Sequence, residues 1–370
     1  MKKLFFLVIL STLIVSCNQT NEKKTEKPAQ PTSVAEVVNK EKTLPPLKNE
    51  EVNLTDDVFG NIIELTGESK VSDYILGISE LQMIANDSML ITKSYGAKLF
   101  TLFSLPDFKF IKTFGDKGRG PGEFSFPSLV KTENSNSICY IYSSNTNELF
   151  PLIKNNEIAK TPIKIKSTSE YNARQIHGLS PNHLLYVENI KRGKAVFDFK
   201  VDGDSTHTKQ IYNLAFSKNH RNWAAYIGDF GANGSKKRFV YAYKYFKRLV
   251  FHDLENNTTK VVNFNTAPAL AGDVKDMLAP TNVTHYWGMS AQKNYVYVLY
   301  SGRTPIQIGK ENNKTSGYIY VEQFDWNGNP IRKFKLDHWG YFCVNDAENT
   351  IILASTTELD PFFTYDIPAL

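Results

Sequence analysis

The chain has 370 residues and carries 43 Lys and Arg against 38 Asp and Glu, a formal net charge of +5. That excess is too small to mark a nucleic-acid binder, and no block of basic residues interleaved with aromatics argues for one. Hydrophobic residues make up 41% of the chain, enough for a large core.

The N-terminus reads Met1-Lys2-Lys3, then an apolar run from Leu4 to Val15 broken only by Ser11 and Thr12, then Ser16-Cys17. The run is shorter than the roughly 20 residues a bilayer span requires, so residues 1–16 read as a signal peptide. Ile14-Val15-Ser16-Cys17 resembles a lipobox: small Ser16 suits the processing peptidase, and the Cys17 thiol takes the diacylglycerol. Loss of Lys2 and Lys3 would leave a mature charge of about +3. No other segment is long and apolar enough to cross a membrane, so the lipid would be the only membrane attachment. Asn18, where an aspartate would favour inner-membrane retention, points to the outer membrane of a bacterial envelope.

Residues 17–54 are then the lipidated cysteine and a tether. The stretch is rich in Lys, Glu, Asn, Thr and Pro, as in Glu22-Lys23-Lys24-Thr25-Glu26-Lys27-Pro28. It holds too little apolar surface to offset the entropy of ordering.

Residues 55–370 are a succession of short runs rich in Val, Ile, Tyr and Phe, separated by turns of Asn, Asp, Gly and Lys, which predicts an all-β domain. One short helix is expected near Leu270–Leu278, ended by Pro280. A polar turn followed by a strongly apolar strand recurs at Ser88, Ser137, His183, Phe239, Tyr295 and Thr350. The spacing is roughly 46 to 56 residues, the scale of a propeller blade. With the flanking strands this predicts six four-stranded blades. The sixth unit is one strand short, and Asn61-Ile62-Ile63-Glu64-Leu65 is expected to complete it and close the ring. Cys139 and Cys343 fall in different blades and read as buried free thiols.

Phe114-Gly115-Asp116-Lys117-Gly118-Arg119-Gly120-Pro121-Gly122-Glu123-Phe124, followed by Pro127, resembles the inter-blade loop of NHL-type propellers. Gly118, Gly120 and Gly122 can take positive φ; Phe124 can tuck between blades, and Glu123 can accept backbone N–H bonds. A phosphate cradle would need a following helix, whereas this loop leads into a strand. With the lipobox, the chain from about residue 58 onward resembles the TolB-like six-bladed propeller lipoproteins of Bacteroides and relatives. The resemblance implies the fold and an envelope address, and no settled activity.

Catalytic motifs are missing. Gly288-Met289-Ser290-Ala291-Gln292 lacks the second glycine of a nucleophile elbow, and no His-x-His or His-Glu-x-x-His occurs. Asp202-Gly203-Asp204 reads as a hairpin turn rather than a calcium site. Four long stretches, 114–127, 213–228, 265–286 and 300–316, should share one face of the ring. They carry Arg119, His220, Arg221, Trp223, Tyr226, Tyr286, Trp287 and Arg303, a set suited to a peptide, a glycan or a partner protein. The leading expectation is a binding or scaffold propeller without a cofactor. The alternative is a lactonase-like hydrolase or lyase with a divalent metal at the propeller axis, which would need several Asp, Glu, Asn or His ligands converging there.

Overall fold

Each of the six recurring apolar runs is the second strand of a four-stranded antiparallel sheet: Met89–Lys93, Ser137–Ser143, His183–Ile190, Arg238–Tyr243, Tyr295–Arg303 and Thr350–Ser355. The computed structural model describes residues 44–370 except 79, 154–156, 166–174, 218–222, 265–273, 275–278 and 316. The signal peptide, Cys17 and the helix expected near Leu270–Leu278 lie outside the described residues.

The six sheets, blades 1 to 6 in chain order, form a ring in which each touches the next and the sixth touches the first. A second strand is therefore covered on both faces by neighbouring blades. Leu90 and Ile91, Cys139 to Ile141, Phe239 to Ala242 and Val296 to Leu299 are all essentially inaccessible. Burial on both faces explains why these strands read as continuous apolar runs rather than alternating ones. Cys139 and Cys343 are free, buried and in blades 2 and 6.

The first strands, Gln82–Ala85, Pro127–Val130, Gln175–Ser180, Gly228–Asn233, Thr284–Ala291 and Gly340–Val344, line the axis and all run the same way. They begin at the face that carries the blade-to-blade connections, here the loop face. They end at the opposite, hairpin face, where each turns back into its second strand.

The ring is closed by an N-terminal strand, but not by the segment expected. Ile63–Leu65 pairs in parallel with Phe334–Leu336 at the outer edge of blade 5. Glu68–Lys70 is the strand that completes blade 6, antiparallel to Phe362–Thr364. Glu50–Leu54, assigned from composition to the tether, is a further strand lying parallel to Lys260–Phe264 at the edge of blade 4. Residues 44–70 thus form a strap stitched across the rims of three blades. It is held by ion pairs to blades 4 and 5, Glu51 with Arg248 at 2.7 Å and Glu64 with Lys335 at 2.8 Å. Acidic edge strands of three to five residues carry too little apolar signal to stand out from a tether.

Between two stretches of the strap, the 3-10 turn Asp56–Phe59 plugs the seam of blades 4 and 5. Phe59 stacks on Phe264 at 5.7 Å and meets Phe324 edge-on at 5.6 Å. Asp56 reaches two lysines, Lys247 and Lys333, both of which also pair with the fully buried Glu322, at 2.8 and 3.0 Å. Burial alone would lower the Lys333 pKa; the carboxylates of Glu322 and Asp56 outweigh it and hold the ammonium above its usual range.

Candidate functional site

A cavity of about 300 Å³ lies on the axis, lined by the first strands of all six blades. Its two ends differ. At the loop face the lining residues Gln82, Ser128, Gln175, Asp229, Trp287 and Tyr341 are partly exposed. Toward the hairpin face Ala85, Val130, His177, Gln292 and Val344 are buried.

A bridge crosses the axis at the hairpin end. Lys131, just past the first strand of blade 2, donates to Gln292 Oε1 on the opposite blade 5 and lies 3.4 Å from Asp346 of blade 6. Gln292 is fixed in turn: its amide nitrogen donates to the Val344 carbonyl and, at 3.0 Å, to Ser290 Oγ. Its own carbonyl accepts the Trp326 indole N–H at 3.0 Å. Nearby, His177 Nδ1 accepts the Ala232 amide at 3.3 Å, and burial pushes the ring's pKa below its usual value, with Glu133 pulling it back only in part.

The mouth combines opposite charges with aromatic walls. Asp229, on the first strand of blade 4, is shielded from bulk solvent and keeps its residual exposure toward the cavity; burial raises its pKa from 3.8 to about 6, with Lys244 opposing. Lys244 sits at the rim between blades 4 and 5: its amide donates to Ile227 O at 2.8 Å, and its carbonyl accepts the His285 amide at 2.7 Å. Its ammonium stands 5.5 Å from the centre of the Trp287 ring, and burial lowers its pKa. Among the described residues, neither charged end has a hydrogen-bond or direct ion-pair partner. Trp287 packs at 5.8 Å from Trp339 and 5.7 Å from Tyr341. Among the described residues no three His, Cys, Asp or Glu side chains lie close enough together to hold a metal ion.

The residues singled out from the sequence divide. Trp287 lines the mouth. Arg119 and Trp223 are exposed on loops of the same face, Trp223 with Lys194 at 5.8 Å from its ring. Tyr226 and Tyr286 are core residues: the Tyr226 carbonyl accepts the Tyr241 hydroxyl at 2.7 Å, and the Tyr286 hydroxyl donates to Glu322 at 3.2 Å. Arg303 is buried, paired with Glu311 and stacked 3.9 Å from the Tyr318 ring. Glu311 belongs to a helix, Pro305–Asn312, inside the loop read as irregular; its signal is Thr304-Pro305-Ile306-Gln307, a capping box with proline at the first turn. His220 and Arg221 lie outside the described residues.

The glycine-rich loop behaves as a blade connector. Phe124 is buried between Phe100 of blade 1 and Phe150 of blade 2, each ring at 5.5 Å. Glu123 accepts the Gly120 amide at 2.8 Å. Positive φ occurs at Gly115 and Gly122 rather than at Gly118 or Gly120. Gly118 is needed for space, since a Cβ there would lie 1.8 Å from the Glu123 carboxylate. Asp229 and Lys244 were missed because neither belongs to a motif; only the antiparallel pairing of the first two strands of blade 4 brings them together.

A family model described as TolB-like 6-blade propeller-like matches residues 58–347. Among solved structures, the chain resembles a member of the DUF4221 family from Bacteroides vulgatus at 12% identity, with 83% of this chain and 98% of that one covered and a TM-score of 0.56. It also resembles a Bacteroides fragilis protein at 10% identity, covering 87% and 99%, with a TM-score of 0.51. At these identities the likeness is one of fold. No curated protein matches.

Proposed function

Since the chain belongs to the TolB-like six-bladed propeller family, whose fold supplies a scaffold and not a chemistry, we propose that it is a binding propeller that takes its ligand into the axial cavity from the loop face. The observation that carries this reading is the axial cavity itself, bridged at one end by Lys131 and Gln292 and lined at the other by Asp229, Trp287 and Tyr341. A rigid concave site with apolar walls and a few polar groups is where small ligands bind. Arg119 and Trp223, on the surrounding loops, would extend the contact to a larger ligand such as a peptide, glycan or partner protein.

The lipobox supports a cell-envelope address with the Cys17 lipid as anchor, and the outer membrane as its site. The B. fragilis protein of like fold is designated as exported. Metabolic labelling with a fatty-acid analogue checks the anchor: Cys17→Ser should abolish the label and release the protein from membranes.

Binding is tested by thermal-shift screening of the mature chain against small metabolites, peptides and oligosaccharides. Ser128→Trp, which places an indole at the mouth, should remove the response to a true ligand, and Trp287→Ala should weaken it. Ligands that stabilise both variants as well as the wild type would refute an axial site.

A further inference from the structure

Asp229 lines the mouth of the cavity, and the ammonium of Lys244 lies beside that mouth, 5.5 Å from the centre of the Trp287 ring. The side chains of Asp229 and Lys244 interact through space, yet among the described residues neither forms an ion pair or hydrogen bond with the other or with a third group. Both are partly withdrawn from water, Asp229 by the first strands around it and Lys244 by the rings of Tyr245 and Trp287, at 5.6 and 5.5 Å. Opposite charges in such surroundings gain by pairing unless each is matched to something else. The gap between them has the polarity of a ligand that carries both charges at once, and beside it stand the rings of Trp287, Tyr341 and Phe230 and the thioether of Met289.

We propose that the axial cavity binds a free α-amino acid as its zwitterion, with the ammonium toward Asp229, the carboxylate toward Lys244 and an apolar side chain against Trp287 and Tyr341. The volume fits: about 300 Å³ lies at the low end of the roughly 300–1,000 Å³ typical of ligand pockets, suited to one amino acid rather than to an oligomer. A ligand of one charge sign alone would satisfy one rim group and leave the other unmatched.

This assignment rests on the axial cavity being the ligand site, and the test separates the two. Calorimetric titration of the mature protein uses L-leucine, L-phenylalanine and L-methionine, each with its amide and its N-acetyl form. The free amino acids should bind, and removing either charge should weaken binding by roughly tenfold or more. Asp229→Asn and Lys244→Met should each lose a comparable factor while the proteins remain folded by circular dichroism. If amide and N-acetyl forms bind as tightly as the free acids, or if none of the free amino acids binds, the zwitterion assignment is overturned. Loss of binding in Ser128→Trp with no dependence on either charge would sink this assignment and leave the cavity as a binding site. Equal binding of the free amino acids to Ser128→Trp would sink both.

Discussion

An ionised carboxylate at Asp229 works against the fold at neutral pH. Its folded-state pKa is about 6, against an ordinary value of 3.8, because burial penalises the charged form more than Lys244 favours it. The titratable groups that interact with it are Lys244 and Tyr241 from blade 4; His177, Lys131 and Tyr341 line the same cavity. Blade 5 presents Trp287 and Met289, which do not titrate. A raised carboxyl pKa means that the folded state holds the proton more tightly than the unfolded one. The stabilising contribution is then fully present below about pH 4 and is lost as the pH climbs through about 6. Each tenfold change in proton affinity is worth about 1.4 kcal/mol, so the whole loss approaches roughly 3 kcal/mol, and hydration by cavity water trims it to about 1–3 kcal/mol. Asp229→Asn removes the charge at nearly constant volume. The advantage of the variant should be small at pH 4.5 and larger at pH 8, with a midpoint there higher by about 2–4 °C in a domain of this size. Scanning calorimetry at the two pH values checks this. A variant that is less stable at pH 8, or one shifted equally at both, would refute the reasoning. A group that destabilises its own fold at working pH is in keeping with a site whose missing partner is a ligand.

Three further outcomes are expected. Glu322→Gln leaves the buried Lys247 and Lys333 with only the half-exposed Asp56 as counter-charge; urea unfolding should show a loss of about 3–5 kcal/mol. Gly118→Ala should cost about 1–3 kcal/mol through its clash with Glu123, and the same change in a Glu123→Ala background should cost clearly less, a coupling that a double-mutant cycle measures. Burial pushes the thiols of Cys139 and Cys343 up to about 12, so a Cys17→Ser protein should not react with a disulfide reagent at pH 8 until it is unfolded.

What the sequence could reveal follows from burial. The six second strands stand out because both their faces are covered, which favours apolar residues at central positions of either parity. The connector at 114–124 stands out because Gly115 and Gly122 need left-handed φ and Gly118 needs an absent Cβ. The strap is hidden for the opposite reason: Glu50–Leu54 and Ile63–Leu65 are rim strands whose partners are charged and whose outer sides face water. Tyr286 and Arg303 sit in stretches with the composition of a recognition loop, yet one is committed to Glu322 and the other to Glu311. Composition cannot separate an aromatic under a loop from one on top of it. Asp229 and Lys244 are local neighbours only after Gly228–Asn233 has turned back through the second strand of blade 4.

Blade 6 is assembled from both ends of the chain, with Ser69 opposite Phe363. Almost the whole domain separates those two partners in sequence, so their pairing must wait until the last strands have been synthesised. Five blades can form as the chain emerges, each from local hairpins, while the ring stays open at one seam. The final step is a single long-range closure. Until it occurs, the free edge of Phe362–Asp366 can accept a strand from another molecule. A chain truncated before residue 71 would keep that vulnerability permanently, and its characteristic failure would be self-association through blade 6 rather than loss of any one blade.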